Sequence, residues 1–304
     1  MAAVVALLAA TLLATLVHFI PGDPVKIILG PRASPALSAR IREEMGLDLP
    51  VPQQVIRFIG SVLQGDLGVD ILRRVPVTQL IADALPNTIL LAFTGLGLAA
   101  LIGIPLGVYA AAHHNSLADK LIAVLSVSFV ALPTYVIGLV LLLVFSVQLG
   151  WLPAIGAGEW SQISSLLAHL VLPAIALAVT WIGYLSRLVR ASMLDVIHSD
   201  YIRTAFAFGH SARSVYYRLA LRNAILPTVA ILGVGLGNLL GGAVFVEVIF
   251  SRPGLGRLIF DAIAARNYPV VRGGVLVAAL LFVLANLAAD MCQRWLNPRL
   301  RGTA

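Results

Sequence analysis

The chain is 304 residues long, with 60% of them hydrophobic and only 12% charged. A soluble domain carries about twice that charged fraction because its outside faces water, so the composition excludes an ordinary water-soluble fold. The net charge of +7 comes from nineteen arginines and two lysines, Lys26 and Lys120. They cluster in loops between apolar runs, where orientation signals and lipid headgroups account for them and no nucleic acid is needed.

A helix crosses the hydrocarbon layer in about 20 apolar residues. Lipid offers the backbone no hydrogen bonds, so a crossing helix must satisfy its own peptide groups. Six stretches are long enough: 3–20, 88–112, 121–149, 166–186, 225–250 and 274–291. The short alternating segments of a β-barrel are absent. The sequence therefore predicts an all-α, polytopic membrane protein with about six transmembrane helices. Residues 1–20 lack a basic stretch ahead of the apolar run and read as an uncleaved first transmembrane helix. The single cysteine, Cys292, excludes an intrachain disulfide, and no Cys/His spacing suggests a metal site. His113 and His114, at a span end, read as interfacial anchors.

Residues 21–87 form a polar region with seven basic and seven acidic residues. Pro21-Gly22-Asp23-Pro24 and Gly65-Asp66-Leu67-Gly68 read as turns, and Gly46 is placed to end a short helix over 38–45. Residues 88–291 hold the remaining spans. Pro105, Pro133 and Pro173 lie inside them, each as a kink or a gating hinge. Trp151 and Trp160, between the third and fourth spans, fit an interfacial aromatic belt.

The loop at 187–224 carries Arg187, Arg190, Arg203, Arg213, Arg218 and Arg222 against Asp195 and Asp200. The positive-inside rule puts it in the cytoplasm. Both termini, including the tail at 292–304, would then be cytoplasmic and 21–87 extracytoplasmic. The arginine-rich stretch 251–272 would lie outside, against the rule. Within the cytoplasmic loop, Ser199 or Asp200 can cap a helix over 201–208, and Gly209 can end it in the left-handed region. Ser211 can cap a second helix over 212–225. Tyr201, Phe206 and Phe208 crowd the first helix where lipid is not expected, so something must cover them.

This loop resembles the ATPase-docking, or EAA, loop of type I importer permeases among the ATP-binding-cassette transporters. Thr204-Ala205, Gly209 and Ile225-Leu226-Pro227 carry the likeness. Asp200-Tyr201-Ile202-Arg203-Thr204-Ala205 and Arg222-Asn223-Ala224-Ile225-Leu226-Pro227 resemble the dipeptide, oligopeptide, nickel and opine group, in particular its first permease subunit. Further matching pieces are Gly46-Leu47-Asp48, Gly150-Trp151-Leu152-Pro153, Pro253-Gly254-Leu255-Gly256-Arg257-Leu258 and Asn297-Pro298-Arg299-Leu300-Arg301. The chain departs from the family at Phe206 and Phe208, where similar permeases have basic residues, and at Asn267 and Asn297, where they often have acids. The basic residues expected ahead of the first span are missing.

The resemblance implies a bacterial inner-membrane permease that works with a second homologous permease, two ATP-binding-cassette ATPase subunits and an extracytoplasmic solute-binding protein. It implies ATPase docking through Asp200, Tyr201, Arg203, Thr204, Ala205, Phe206, Ala207, Phe208 and Gly209, and a peptide-like cargo. The chain has no Gly-x-x-x-x-Gly-Lys-Ser/Thr loop to hold phosphates. It is thus expected to be a non-catalytic transport subunit without a cofactor, with ATP and Mg on its partners. Glu247 either faces the pathway as a gate residue, since lipid-facing acids are costly, or pairs with an arginine such as Arg252 or Arg257. An ion-gradient-driven secondary transporter is the main rival, but it needs ionisable or broken-helix sites at mid-membrane, and the central spans are nearly free of charge. A membrane-embedded enzyme would need polar residues clustered at one depth, and His18 and His169 are isolated. A passive channel gives no reason for an aromatic docking helix.

Overall fold

A computed structural model describes residues 49–296, together with Thr11, 34–36, Ala39 and Arg42. The expected first span and the tail motif at 297–301 lie outside the described residues, as does most of the short helix expected over 38–45. The described chain is helical, and its one extended pairing is an isolated bridge between Val69 and Pro76.

Helix α1 (Val51–Leu63) precedes a long α2 (Val77–Ala112). A tight turn leads to α3 (Leu117–Ala131), capped by the Ser116 hydroxyl, which accepts from the Asp119 N–H. Then come α4 (Thr134–Leu141), running on into a π-helical stretch at Leu142–Gln148, and the long α5 (Ile163–Ile197). After α5 lie the short α6 (Asp200–Ala207) and α7 (Ala212–Ala224), whose middle is a π-helical turn, Val215–Ala220. The chain closes with α8 (Leu226–Gly242), α9 (Val244–Ile249), α10 (Leu255–Ala264) and α11 (Tyr268–Leu296).

Among the described residues, α2, α5 and the Tyr268–Met291 part of α11 are long and apolar enough to cross a membrane. Counting the bent pairs α3 with α4 and α7 with α8 as one span each gives five. The second span was expected to begin at Thr88, yet its helix begins at Val77. At 1.5 Å per residue, α2 and α5 are each about 53 Å long, against about 30 Å of hydrocarbon. Both must project beyond the membrane.

The three expected proline sites separate clearly. Pro105 and Pro173 sit inside continuous helices, whereas the chain turns by 97° between α3 and α4 at Pro133. Leu132, ahead of that proline, is extended (ψ 123°), the conformation a following proline favours. A second break, of 57°, falls between α7 and α8 at Ile225.

The chain divides into two compact units, one of Met1–Ile89 with Leu240–Val283, the other of Leu90–Leu239 with Leu284–Ala304. In the second unit, helices approach through small residues, as membrane helices do when no solvent-driven burial separates lipid from core. A Cβ added at Gly103 would meet Leu185 Cβ at 3.1 Å, and one at Gly107 would meet Val189 Cβ at 2.7 Å, so α2 lies hard against α5. Gly183 brings α5 equally close to α3, where Ser126 and Ser186 share a 2.6 Å hydrogen bond. In the first unit, Val77, Ile81, Leu255, Ala262 and Val270 form a buried cluster that joins the start of α2 to α10 and α11. Large apolar side chains such as Phe93, Leu101, Leu121, Val140 and Leu287 are exposed on the outside. That surface suits lipid or another subunit, not water.

Candidate functional site: a docking helix on projecting helix ends

Helix α6 is short because both its ends are fixed locally. Ser199 takes the N-cap position with extended backbone, though its hydroxyl donates to the Val196 carbonyl (2.6 Å) instead of accepting from the new helix. At the other end Gly209 adopts φ +80°. The Gly209 N–H donates to Phe206 O (2.9 Å) and the His210 N–H to Ala205 O (3.2 Å). That paired closure needs a left-handed residue and is the reason for glycine here. Ser211 then caps α7 by accepting from the Ser214 N–H at 3.4 Å.

One face of α6 is locked down. Ile202 and Ala205 are buried in a cluster with Val108 and Ala111 at the end of α2, Val189 and Met193 of α5, and Val215, Ala220 and Ala224 of α7. The opposite face is open. Tyr201, Arg203, Thr204, Phe206, Ala207 and Phe208 are all exposed, and Phe208 reaches 81%. Phe206 is 40% exposed and stands edge-on to Tyr216, with ring centroids 6.0 Å apart. The Tyr201 hydroxyl accepts from Asn223 Nδ2 (2.9 Å), tying α6 to α7. Asp200 and Arg203 form an exposed pair at 3.0 Å, which contributes little to stability in water. The nine expected docking residues therefore form one continuous element; all of them except Ala205 are open to a partner.

A feature the sequence reading missed braces this element. Asp119, buried at the start of α3, accepts from Arg190 Nε (2.5 Å) and Nη2 (2.8 Å), a two-pronged contact that ties α3 to α5. The Asn115 N–H also donates to Asp119 (3.0 Å), and His114 Nδ1 lies 3.2 Å from Arg190 Nη2. The signal was an acid three residues beyond Ser116, but its partner lies 71 residues away.

Glu247, in the first unit, is fully buried. Its carboxylate accepts from the Thr88 hydroxyl (2.6 Å) and the Arg257 N–H (3.0 Å), so it caps the N-terminus of α10, where Gly254 offers no side chain. Thr88 in turn accepts from the Leu255 N–H (2.8 Å), and Asn87 Nδ2 donates to Pro253 O (3.0 Å). A Cβ on Gly254 would lie 2.2 Å from the Glu247 carboxylate. Glycine is thus what lets the acid reach the helix end. Arg257 meets Glu247 through its backbone, while its guanidinium donates to Ser251 O. Arg252 is fully buried, and its Nη2 makes a long contact of 3.4 Å with Asn87 Oδ1. Burial pushes the Arg252 guanidinium's pKa down and the Glu247 charge holds it up. Nearby, Asn267 donates to buried Asp70 (2.8 Å), whose Oδ1 also accepts from the Leu72 and Arg73 N–H groups.

Comparison with known proteins places the chain in a family. Residues 103–302 match the family described as binding-protein-dependent transport system inner membrane component, and residues 1–92 match the N-terminal family of such membrane components. The glutathione transport system permease protein GsiC of Salmonella typhimurium is 39% identical over 295 residues, covering 97% of this chain and 94% of that protein. GsiC of Escherichia coli K12 is 38% identical over 285 residues, covering 94% and 91%. A chain of the MetNI methionine ABC transporter, solved in an inward-facing conformation, superposes with a TM-score of 0.61 over 72% of this chain and 97% of that one. At 18% identity that likeness speaks for the fold alone.

Proposed function

The chain belongs to the inner membrane components of binding-protein-dependent transport systems, the permease subunits of ATP-binding-cassette importers, and from that membership we propose how its parts share the work. It is a multi-pass subunit of the bacterial inner membrane and not itself catalytic, and importers of this kind combine permeases with ATPase and binding-protein partners.

In the proposed reading, α6 with Gly209 is the docking element for two ATPase subunits that carry ATP and Mg, and it lies in the cytoplasm with both termini. The region 21–87, joined by 251–272, faces the extracytoplasmic binding protein. Residues 88–291 form half of the pathway, and a second homologous permease supplies the other half. Closure of the ATPases on ATP displaces α6, and the spans move between inward-open and outward-open states. Glu247 enters as a gate element that pins the 253–257 turn to α2 at Thr88. The cargo is a peptide-like solute, because the curated relatives named above are glutathione transport permeases.

The observation that carries the reading is the division of α6 into a face sealed onto α2, α5 and α7 and a bare aromatic face. A partner groove accounts for such a face, since three exposed aromatics in eight residues have no use in water. The test is co-purification from the native membrane with wild type and with F206A/F208A. An ATPase pair retained by the first and lost from the second supports the docking assignment. Retention by both, or recovery with neither, overturns it. Uptake of labelled glutathione and dipeptides by the same strain tests the cargo class.

A further inference from the structure

The first unit contains a basic cleft, within the region read as extracytoplasmic, for which the transport reading supplies no ligand. It lies between α1 and the start of α11, has a volume of about 180 Å³, and is lined by Gln54, Arg57, Phe58, Ser61, Asp66 and Arg272 among others. Arg272 is the unusual member. Its Nε and Nη2 are shut off from solvent and, among the described residues, have no hydrogen-bond partner. An uncompensated guanidinium out of water is costly, and the remedy is an anion. The acid on the cleft wall, Asp66, accepts from the Gly68 N–H at 2.8 Å and makes no hydrogen bond to Arg272 Nε or Nη2.

The surroundings say which anion. Helix α1 places Ile56 and Leu63 two turns apart on one stripe, and they are 71% and 82% exposed. Arg57 is exposed beside Ile56. Bare aliphatic side chains flanked by a basic one are the pattern of a helix lying in the membrane interface. Arg272 is the fifth residue of α11, at the end of a span, where the headgroup layer begins. Free solutes occupy pockets of about 300–1,000 Å³, so this cleft is too small for a peptide but suits the phosphate end of a larger molecule. We propose that the cleft between α1 and α11 is a phospholipid site: Arg272 and Arg57 hold the phosphate of one anionic lipid, and Ile56 and Leu63 lie among the acyl chains around it. The ligand and the site are separate from the docking loop and do not depend on its assignment.

The test is native mass spectrometry of the full chain, stripped in neutral detergent and then titrated with phosphatidylglycerol. Wild type is expected to retain one lipid per chain. R272Q should weaken retention about tenfold, the loss of a charge-assisted contact, and R272K should restore part of it. R57Q, which alters an exposed side chain and leaves folding intact, should weaken retention about threefold. Inorganic phosphate alone should not protect the chain from thermal unfolding at concentrations where phosphatidylglycerol does. Equal retention by wild type and R57Q overturns the proposal even if R272Q fails to fold. Equal protection by inorganic phosphate overturns the lipid assignment.

Discussion

Removing the Phe208 ring, in F208A, probes the proposed docking face with the least disturbance to the chain itself. The side chain is 81% exposed, so nearly all of its apolar area is available to a partner. Full burial of a phenylalanine contributes about 1.5–3 kcal/mol, which at about 1.4 kcal/mol per decade is roughly a ten- to hundredfold change in affinity. Phe206 offers half that exposure and already leans on Tyr216, so F206A should cost about three- to tenfold on the same scale. The assay is titration of the purified ATPase onto the full chain in lipid nanodiscs, with a melting curve of each variant alone as control. F208A should melt with wild type, because the ring is outside the buried cluster that holds α6. Binding of F208A within twofold of wild type, or a larger loss from F206A than from F208A, would refute the assignment of Phe208 as the anchor.

Three further outcomes follow from the packing. E247A should destabilise the first unit by about 3–5 kcal/mol, because it leaves buried Arg252 without its countercharge and α10 without its cap; E247Q, which keeps an acceptor for Thr88, should recover part of the loss in the same melting assay. D119A should cost about 3 kcal/mol, and R190K should fail to match wild type, since lysine cannot reproduce the two-pronged contact. G209V places a branched side chain at φ +80°, a penalty of about 1–2 kcal/mol, and should speed protease cleavage in the α6–α7 turn, whereas G209N should be mild.

The spans were legible because their signal is additive. Twenty apolar residues in a row have few other uses, and the short helix at α6 was marked by Gly209, Ser211 and aromatics out of place. What composition could not show depends on partners distant in sequence. Helix α2 begins at Val77 because Val77 and Ile81 pack on Leu255 and Val270, and no hydropathy window across Asp83 and Pro86 reports that. The three prolines look alike as residues, yet the large bend falls only at Pro133; the difference lies in Leu132, which left the helical region, and not in the ring. Glu247 was expected to meet an arginine side chain if it met arginine at all. Its carboxylate takes the Arg257 backbone N–H while its charge also acts on the buried Arg252 guanidinium, and the readable clue was Gly254 and Gly256, two residues without Cβ atoms at the start of a helix.

Under the proposed docking, the same packing makes a small helix a lever. Ile202 and Ala205 sit among side chains of α2, α5 and α7, Gly107 removes any slack between α2 and α5, and Asp119 ties α3 to Arg190. Close-packed interiors do not stretch by fractions of an ångström at low cost. A push on Phe208 therefore cannot be absorbed within α6 and must carry the ends of α2, α3 and α5 along together. Relief is available where the helical hydrogen bonding is already interrupted, at the 97° turn by Pro133 and the 57° break at Ile225. Motion delivered as a rigid-body displacement at the docking helix should accordingly reappear as a change of angle at those two joints, the pattern of a hinged switch and not of a diffuse relaxation. Locking the second joint with a cross-link across Ile225 should then abolish transport while leaving ATPase binding intact, and transport that survived the lock would place the hinge elsewhere.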